Sequence, residues 1–233
     1  MIVDDLRKLA NPDKAKILQK FFKTGKGEYG EGDIFLGLTV PEQRKIAQKY
    51  RNLTFSEIQE LLSSPIHEFR LTALIILTLK YKKAEESERE KIVNFYLKNL
   101  KNVNNWDLVD LSAPNILGEW FFDKDKKILY QLAVSKNLWE RRIAILSTFG
   151  FIRKNVFLDT LKIAEILLFD KHGLIHKAVG WMLREVGKRG REIEFAFLKK
   201  YSRKMPRAML RYAIEKFNEK ERAIFLKENK ITT

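Results

Sequence analysis

The fold of this chain is decided by the stretch Pro65-Ile-His-Glu-Phe-Arg-Leu-Thr-Ala-Leu74 and by two later stretches that resemble it. These are Lys136-Asn-Leu-Trp-Glu-Arg-Arg-Ile-Ala-Ile145 and Gly173-Leu-Ile-His-Lys-Ala-Val-Gly-Trp181. Each stretch places a basic residue before a run of small and apolar residues. Such self-similarity at a fixed period indicates an architecture of stacked structural repeats.

The spacing of the basic residues gives the period. Arg70 and Arg142 lie 72 residues apart, which is two steps of 36, and Lys177 follows Arg142 after 35 residues. The missing step falls at Trp106. A helical-hairpin period near 35 is typical of solenoids, in which one helix of each pair lines a continuous concave face. We therefore predict an all-α helical-repeat solenoid with a basic concave face.

The remaining sequence supports helices rather than strands. Apolar residues recur at spacings of three and four, and five prolines and eleven glycines leave long uninterrupted stretches. The pattern predicts helices over residues 13–23, 41–50, 54–63, 65–81, 85–100, 111–122, 125–135, 138–153, 156–169, 174–188 and 206–217.

Three of these helices have recognisable start signals. Thr39 precedes Pro41 and Glu42, and Thr54 precedes Glu57. Ser64 precedes Pro65 and Glu68 in the same way. Such patterns are typical of N-caps, first-turn prolines and capping boxes, so we expect all three helices to be capped by these side chains.

Composition limits the class of protein. The 233 residues include no cysteine, which excludes thiol catalysis, cysteine-ligated zinc and disulfides. The length suffices for one large domain, and we predict a single domain over residues 1–233. The N-terminus lacks the pattern of a signal peptide, and no stretch is apolar enough to span a membrane. We expect a soluble cytoplasmic monomer without membrane contact.

Charge indicates the kind of partner. The formal net charge is +15, and residues 171–233 alone contribute 17 basic and 7 acidic residues. A polyanion is the natural partner of such a chain, because neutralising phosphates with lysine and arginine releases condensed counterions. Nucleic acid fits best. The alternative is a generally basic, solvated surface without a specific partner.

The segment Asn104-Asn-Trp-Asp-Leu-Val-Asp110 carries the most chemistry. Positions three and four apart on a helix share a face, so Trp106 and Asp110 should project together, with Asp107 beside Asp110. An aromatic face and carboxylates within one turn suggest chemistry on a cation. The alternative is structural: Asp107 caps a helix, and Asp110 is a solvated or salt-bridged acid.

Other candidate sites have weaker signals. His172 and His176 are four apart, but no glutamate of the zinc-protease type lies between them, so we predict no metal site. The glycine-rich segment 24–33 lacks a preceding strand and a Gly-Lys-Ser/Thr ending. We interpret it as a flexible connection near the binding face rather than a nucleotide site, and we expect no cofactor. No Gly-x-Ser-x-Gly elbow indicates serine catalysis.

Three of the four tryptophans lie in or near the repeated stretches. These are Trp106, Trp139 and Trp181, the last followed by Met-Leu-Arg184. A tryptophan on a helix usually packs in the core. If the repeats stack, however, Trp106, Asp110, Arg142 and Trp181 could converge on the concave face as an aromatic and carboxylate cleft flanked by basic residues.

Four segments in the same order resemble the AlkD branch of the DNA alkylation repair glycosylases. They are Phe35-Leu-Gly-Leu-Thr-Val-Pro-Glu-Gln-Arg44, Asn105-Trp-Asp-Leu-Val-Asp110, Leu138-Trp-Glu-Arg-Arg-Ile-Ala-Ile145 and Lys177-Ala-Val-Gly-Trp-Met-Leu-Arg-Glu185. The similarity runs from about residue 10 to about residue 215. It implies HEAT-like helical repeats and removal of cationic N3- and N7-alkylated purines from duplex DNA.

The resemblance also implies roles for individual residues. Asp110 matches the catalytic aspartate, Arg142 the active-site arginine, and Trp106 and Trp181 the aromatic walls. The segment 24–33 looks longer than in the best-known branch, and Thr39 stands where a larger polar residue is expected. Nearby basic residues would hold the DNA backbone: Arg141, Lys177, Arg184 and Lys188.

Two other function classes stay open at this point. Some proteins of this fold lack the aspartate and bind DNA without excision, so a non-catalytic helical-repeat module for distorted or branched DNA is the main alternative. A protein-binding helical-repeat scaffold is the third, although it gives no reason for the basic C-terminal third. The presence of Asp110 favours the enzyme.

Overall fold

The computed structural model describes residues 1–229, and within that range it contains fourteen α-helices. They are α1 (Ile2–Lys8), α2 (Pro12–Phe21), α3 (Val40–Lys49), α4 (Phe55–Leu62), α5 (His67–Lys83), α6 (Glu86–Lys98), α7 (Trp106–Trp120), α8 (Lys127–Ala133), α9 (Leu138–Ile152), α10 (Leu158–Ile166), α11 (Gly173–Gly187), α12 (Arg191–Tyr201), α13 (Arg207–Ala213) and α14 (Glu219–Glu228). Extended pairing in the described part of the chain is limited to one parallel bridge between Ile34 and Ile66. The all-α prediction is confirmed.

The chain forms two compact units, one from Met1 to Ser112 and one from Ala113 onward. The boundary falls within α7. That the whole chain acts as a single domain stays a prediction.

In the first unit, α5 is the central helix. It packs against α3, α4 and α6, and α1 packs against α3. Every residue from His67 to Leu77 is buried. A helix that is apolar nearly all round must lie inside a layer of other helices, which explains why its sequence shows no one-sided apolar stripe.

In the second unit, alternate helices pack in series. α9 contacts α11, and α11 contacts α13, while α8, α10 and α12 each pack against a neighbouring member of this series. This is the arrangement of stacked helical hairpins that the 35-residue period predicts. The backbones of α7 and α9 come close at Gly118 and Gly150, where an added Cβ on Gly150 would lie 2.6 Å from the Gly118 carbonyl carbon.

The repeat register differs by one residue from the sequence prediction. Arg70, Arg141 and His176 each occupy the fourth position of their helix, and each hydrogen-bonds the carbonyl oxygen six residues earlier. Arg142 and Lys177 are fifth in their helices, so Arg70 aligns with Arg141 rather than with Arg142. Adjacent basic residues at 141 and 142 made the two alignments indistinguishable in the sequence.

Two of the three predicted caps are confirmed. Thr39 with Glu42, and Thr54 with Glu57, form capping boxes. The third prediction was wrong, because α5 begins at His67 rather than at Pro65. Glu68 instead accepts hydrogen bonds from the backbone N–H groups of residues 36–38, at 2.8–3.2 Å. A buried carboxylate that accepts several amide protons pins this loop to α5.

Helix boundaries otherwise agree with the predictions to within a few residues, apart from α7, which begins at Trp106, five residues before the predicted start. Three helices were missed: α1, α12 and α14. No helix in the described part of the chain has the length and apolar character needed to cross a membrane.

Candidate functional site

The first turn of α7 carries the candidate catalytic residues of the first unit. Trp106 and Asp110 stand four residues apart on this helix and therefore share a face, as predicted. Both side chains are half-buried. The structure thus places an indole and a carboxylate side by side, partly shielded from water.

Asp107 has a different role from its neighbour. Its Oδ2 lies 2.8 Å from Nε2 of His67, and its Oδ1 accepts the backbone N–H of Leu108 at 2.8 Å. The alternative interpretation of Asp107 as a helix cap was wrong, because Asp107 is the second residue of α7 and one of its oxygens contacts a buried histidine.

His67 stands between two carboxylates. Its Nδ1 lies 3.1 Å from Oδ2 of Asp33, opposite the contact with Asp107. Asp33 also accepts a hydrogen bond from Arg70 Nη2 at 2.6 Å and one from Asn105 Nδ2 at 3.2 Å. His67, Asp33 and Arg70 are each at most 6% exposed. We call these five residues, Asp33, His67, Arg70, Asn105 and Asp107, the buried polar network.

The contacts of His67 require the imidazolium form. A neutral imidazole has a single N–H and cannot donate to two carboxylates at once. Burial lowers the pKa of His67, but the charge and hydrogen bond of Asp107, with the hydrogen bond of Asp33, raise it to about 9. Burial acts in the opposite direction on Asp33 and raises its pKa. Hydrogen bonding by His67 and the charge of Arg70 nevertheless leave the pKa of Asp33 below its usual range. The network therefore holds two cations and two anions at neutral pH.

A stack of aromatic rings runs beside the network. The Trp106 and Phe22 rings are nearly parallel, with centroids 5.0 Å apart, and Phe22 stacks on Phe35 at 4.9 Å. Phe35 in turn stacks on the His67 ring at 4.5 Å. Phe21 packs edge-on against Trp106. Phe22 also lies 4.9 Å from the His67 ring, so the indole stacks on a pair of phenylalanines that both contact the buried imidazolium.

The sequence does not predict this network. Asp33 ends the glycine-rich segment 24–33, for which the sequence predicts only a flexible connection. In the structure the segment is tied by hydrogen bonds of its own, including Gly30 N–H to the Lys23 carbonyl at 3.0 Å and Gly27 N–H to Glu31 at 2.8 Å. The available signal was His67, a lone histidine at a helix start, which by itself does not identify its partners.

An apolar cleft of about 310 Å³ opens beside the stack. His67 and Asp107 contribute to its wall, and Ile17 and Phe21 are largely exposed at its edge, at 66% and 61%. Most of the remaining lining is apolar: Leu18, Phe22, Phe35, Leu38, Val40 and Leu71.

The second unit contains the other two candidate catalytic residues. Arg142 is 5% exposed, and its Nη1 donates to the Leu174 carbonyl at 2.6 Å. Trp181 is half-buried, packs against Phe149 with centroids 5.9 Å apart, and donates from Nε1 to Glu185 at 3.2 Å. Trp139 is buried in the core. Convergence of Arg142 and Trp181 with Trp106 and Asp110 stays a prediction.

Three of the four candidate phosphate-binding residues have acidic partners in the second unit. Arg141 pairs with Asp170 at 2.6 Å, Lys188 with Glu185 at 2.6 Å, and Arg184 with Glu215. Lys177 is exposed. DNA phosphates would have to replace these carboxylates, of which Glu215 is 46% exposed while Asp170 and Glu185 are only 6% and 8% exposed.

The two C-terminal histidines are structural. Nδ1 of His172 accepts the backbone N–H of Leu174 at 3.1 Å and so caps α11, while His176 bonds the Asp170 carbonyl. No group of three or more potential metal ligands occurs in the described part of the chain.

Comparison with known proteins places the chain in a family. The model of the family described as "DNA alkylation repair enzyme" matches residues 2–217, which is nearly the whole sequence. The chain belongs to this family. A search of curated proteins finds no match. The resemblance identified from four short segments is thus confirmed.

One solved structure shows the same fold. It is described as a predicted DNA alkylation repair enzyme from Enterococcus faecalis, with a TM-score of 0.70 and 17% sequence identity. The match covers 90% of this chain and 97% of that chain. This likeness confirms the helical-repeat fold of the family.

Proposed function

We propose that this protein is a monofunctional DNA glycosylase. It excises cationic N3- and N7-alkylated purines, such as 3-methyladenine and 7-methylguanine, from duplex DNA as the first step of base excision repair. The observation that carries the proposal is the first turn of α7, where Trp106 and Asp110 share one half-buried face in a chain of the DNA alkylation repair family.

Excision of a cationic base requires no general acid beside the catalytic aspartate. Alkylation at N3 or N7 leaves the purine positively charged, so it departs without being protonated. The bond between C1′ and the purine nitrogen breaks, its electron pair goes to the base, and the base leaves neutral. Positive charge then develops on the deoxyribose, and water adds to C1′ with loss of a proton.

Asp110 is placed to stabilise that sugar cation. A carboxylate that is partly shielded from water interacts more strongly with a developing charge than one in bulk solvent. It can also orient the attacking water and accept its proton. We assign the chemical role to Asp110, which the resemblance matches to the catalytic aspartate, and a structural role to Asp107, whose Oδ2 lies 2.8 Å from Nε2 of His67.

The other candidate residues have supporting roles in this proposal. The indoles of Trp106 and Trp181 face the deoxyribose, and contact of a cation with an indole face contributes about 0.5–2 kcal/mol. Arg142 binds the backbone at the lesion, and flanking phosphates are held by the basic set of Arg141, Lys177, Arg184 and Lys188. No cofactor or metal takes part, and the protein acts as a cytoplasmic monomer on duplex DNA.

The test is release of 7-methylguanine and 3-methyladenine from methylated duplex DNA in the presence of EDTA. Asp110→Asn should lower the rate about 10²–10³-fold, the effect of removing one preorganised electrostatic group, while DNA binding is retained. The matched control is Asp123→Asn, which removes an exposed carboxylate from the second unit. This variant should release both bases at the rate of the unaltered protein.

Two outcomes count against the proposal. Absence of base release by the unaltered protein, with tight salt-dependent DNA binding by both proteins, would favour a non-catalytic module for distorted or branched DNA. Release of a neutral lesion such as ethenoadenine would show that the leaving-group argument is incomplete.

A further inference from the structure

His67 reaches the candidate catalytic turn by two separate routes. The first is polar, from Nε2 of His67 to Asp107, the residue that follows Trp106. The second is aromatic, because Phe22, which stacks on the Trp106 ring, contacts the His67 ring both directly, at 4.9 Å, and through Phe35. His67 therefore contacts both Asp107, the residue that follows Trp106 in the chain, and the aromatic rings that pack against Trp106.

Asp33 supports the same turn from the other side of the imidazolium. Asn105 donates to Asp33 and, through its Oδ1, accepts the backbone N–H of Trp106 at 2.8 Å. Three consecutive residues at the start of α7, Asn105, Trp106 and Asp107, are thus tied to the buried polar network or to the ring stack. Such a supporting shell fixes the side chains of a site within the tolerance that catalysis needs.

We propose that His67 is a positioning residue, which holds the Trp106–Asp110 turn of α7 in place through its ion pair with Asp107. The proposal rests on the proposed function for its catalytic readout. His67 itself is buried at 1% exposure, so it acts through Asp107 and does not touch DNA.

The charged groups around His67 come from three segments. Asp33 lies at the end of the glycine-rich segment, Arg70 lies one turn further along α5, and Asp107 lies on α7. Glu68, the neighbour of His67, is bound to the backbone N–H groups of residues 36–38. Loss of the His67 proton leaves Asp33 with Arg70 as its cationic partner but removes the cation from Asp107. Asp107 then keeps at most the single N–H of the neutral imidazole, so deprotonation weakens the hold on the start of α7.

Two substitutions separate the two carboxylate contacts. The amide nitrogen of asparagine takes the place of histidine Nδ1, and that of glutamine takes the place of Nε2. His67→Asn keeps the donor to Asp33 and loses the contact with Asp107, whereas His67→Gln does the reverse. If positioning runs through Asp107, the glutamine variant retains function better than the asparagine variant.

The catalytic readout is the single-turnover excision rate at saturating enzyme. His67→Asn should lower this rate about 10²-fold, the cost of a misplacement near 1 Å, and His67→Gln less than about tenfold, with DNA affinity unchanged in both. In the unaltered protein the rate should fall as pH rises through about 9, the pKa of His67, by no more than the loss seen in His67→Gln, which also offers Asp107 an uncharged donor. In His67→Asn it should be low at all pH values, with no step near 9.

The second readout does not depend on excision. The fluorescence of Trp106 is obtained by subtracting the spectrum of Trp106→Phe, made in each background. In His67→Asn this emission should shift to longer wavelength and become more accessible to acrylamide, while in His67→Gln it should stay as in the unaltered protein. Should His67→Asn not fold, Asp107→Asn removes the same ion pair from the other side, and unchanged Trp106 emission and rate in that variant overturn the proposal.

The control is His172→Asn, which replaces another histidine at a helix start while keeping an N-cap oxygen. It should leave the Trp106 emission and the alkaline pH profile unchanged. Equal effects of His67→Asn and His67→Gln on rate and emission would overturn the proposal. If no alkylated base is released by any form of the protein but the Trp106 emission still differs between His67→Asn and His67→Gln, the proposed function is wrong. The positioning role of His67 is then still supported.

Discussion

The starts of α5 and α9 use the same local device in the two units. In each, the fourth residue is an arginine that donates to a serine carbonyl six residues earlier at 3.0 Å and pairs with an aspartate at 2.6 Å. At α5 this arrangement of hydrogen bonds is buried, and the contact of His67 with Asp107 links it to the start of α7. At α9 the Arg141 side chain is 18% exposed, against 5% for Arg70, and the close approach of Gly118 and Gly150 fixes α7 against α9 instead.

The difference in exposure shows that the same arginine position can have different surroundings in two repeats. The two aspartates are equally buried, at 6% for Asp170 and 5% for Asp33, so the two pairs differ in the exposure of the arginine. In our proposals the more exposed Arg141 meets a DNA phosphate, whereas Arg70 belongs to the buried polar network, whose pairs cannot be broken without a large loss of stability.

The largest expected effect comes from removing the aspartates of these two pairs. Asp33→Ala leaves His67 and Arg70 without a shared buried partner and should lower the free energy of unfolding by about 3–5 kcal/mol. Asp170→Ala, which leaves the more exposed Arg141, should cost about 1–3 kcal/mol. Urea unfolding of both variants measures the difference, and equal losses would show that the two pairs do not differ in burial cost.

The next effect is alkaline destabilisation of the first unit. The pKa of His67 is raised from 6.5 to about 9, so the folded state binds the proton more tightly than the unfolded chain. This contribution, about 3 kcal/mol, is fully present below pH 6.5 and is lost as pH rises through 9. Unfolding measured between pH 6 and 10 should show the loss, and His67→Gln should flatten it.

His172 in the second unit should behave oppositely. Burial lowers its pKa, and although Asp170 raises it, the charge of Arg141 lowers it further. Its contribution is therefore present above the usual histidine pKa and is lost as pH falls below it. The free energies of unfolding of His172→Asn and of the unaltered protein, compared from pH 7 to 5, measure this contribution. A loss of stability on the alkaline side instead would contradict the assignment.

A smaller effect tests the packing of the second unit. An alanine Cβ at Gly150 would lie within 2.8 Å of three backbone atoms of Gly118, so α7 and α9 must separate. Overpacking of this kind costs about 1–3 kcal/mol. Because no charge is involved, the loss in Gly150→Ala should not change with pH or salt, unlike the loss in Asp33→Ala.

The smallest expected effect comes from the helix caps. Thr54→Ala in the first unit and Asn218→Ala in the second each remove an N-cap oxygen and should cost about 1 kcal/mol. Similar losses would show that ordinary helix ends are equivalent in the two units. The contrast between the units would then be confined to the helix starts that surround the candidate site.

The all-α class, most helix positions, two capping boxes and the shared helix face of Trp106 and Asp110 follow from local sequence alone. These features depend on residues close in the chain, whose geometry the helical period dictates. The family was also within reach, because its segments are local and ordered. The missed helices α1, α12 and α14 are no shorter than α8 and α13, which were predicted, so their length does not explain why they were missed.

Which polar residues meet depends on the tertiary fold. Asp33, His67 and Asp107 are separated by 34 and 40 residues along the chain. No local period relates such positions, and they are brought together because a buried charge requires an opposite charge nearby. For the same reason the buried Glu68 accepts hydrogen bonds from the backbone of residues 36–38 and does not cap a helix. Asp33, at the end of the glycine-rich segment, likewise contacts His67 beside the candidate site.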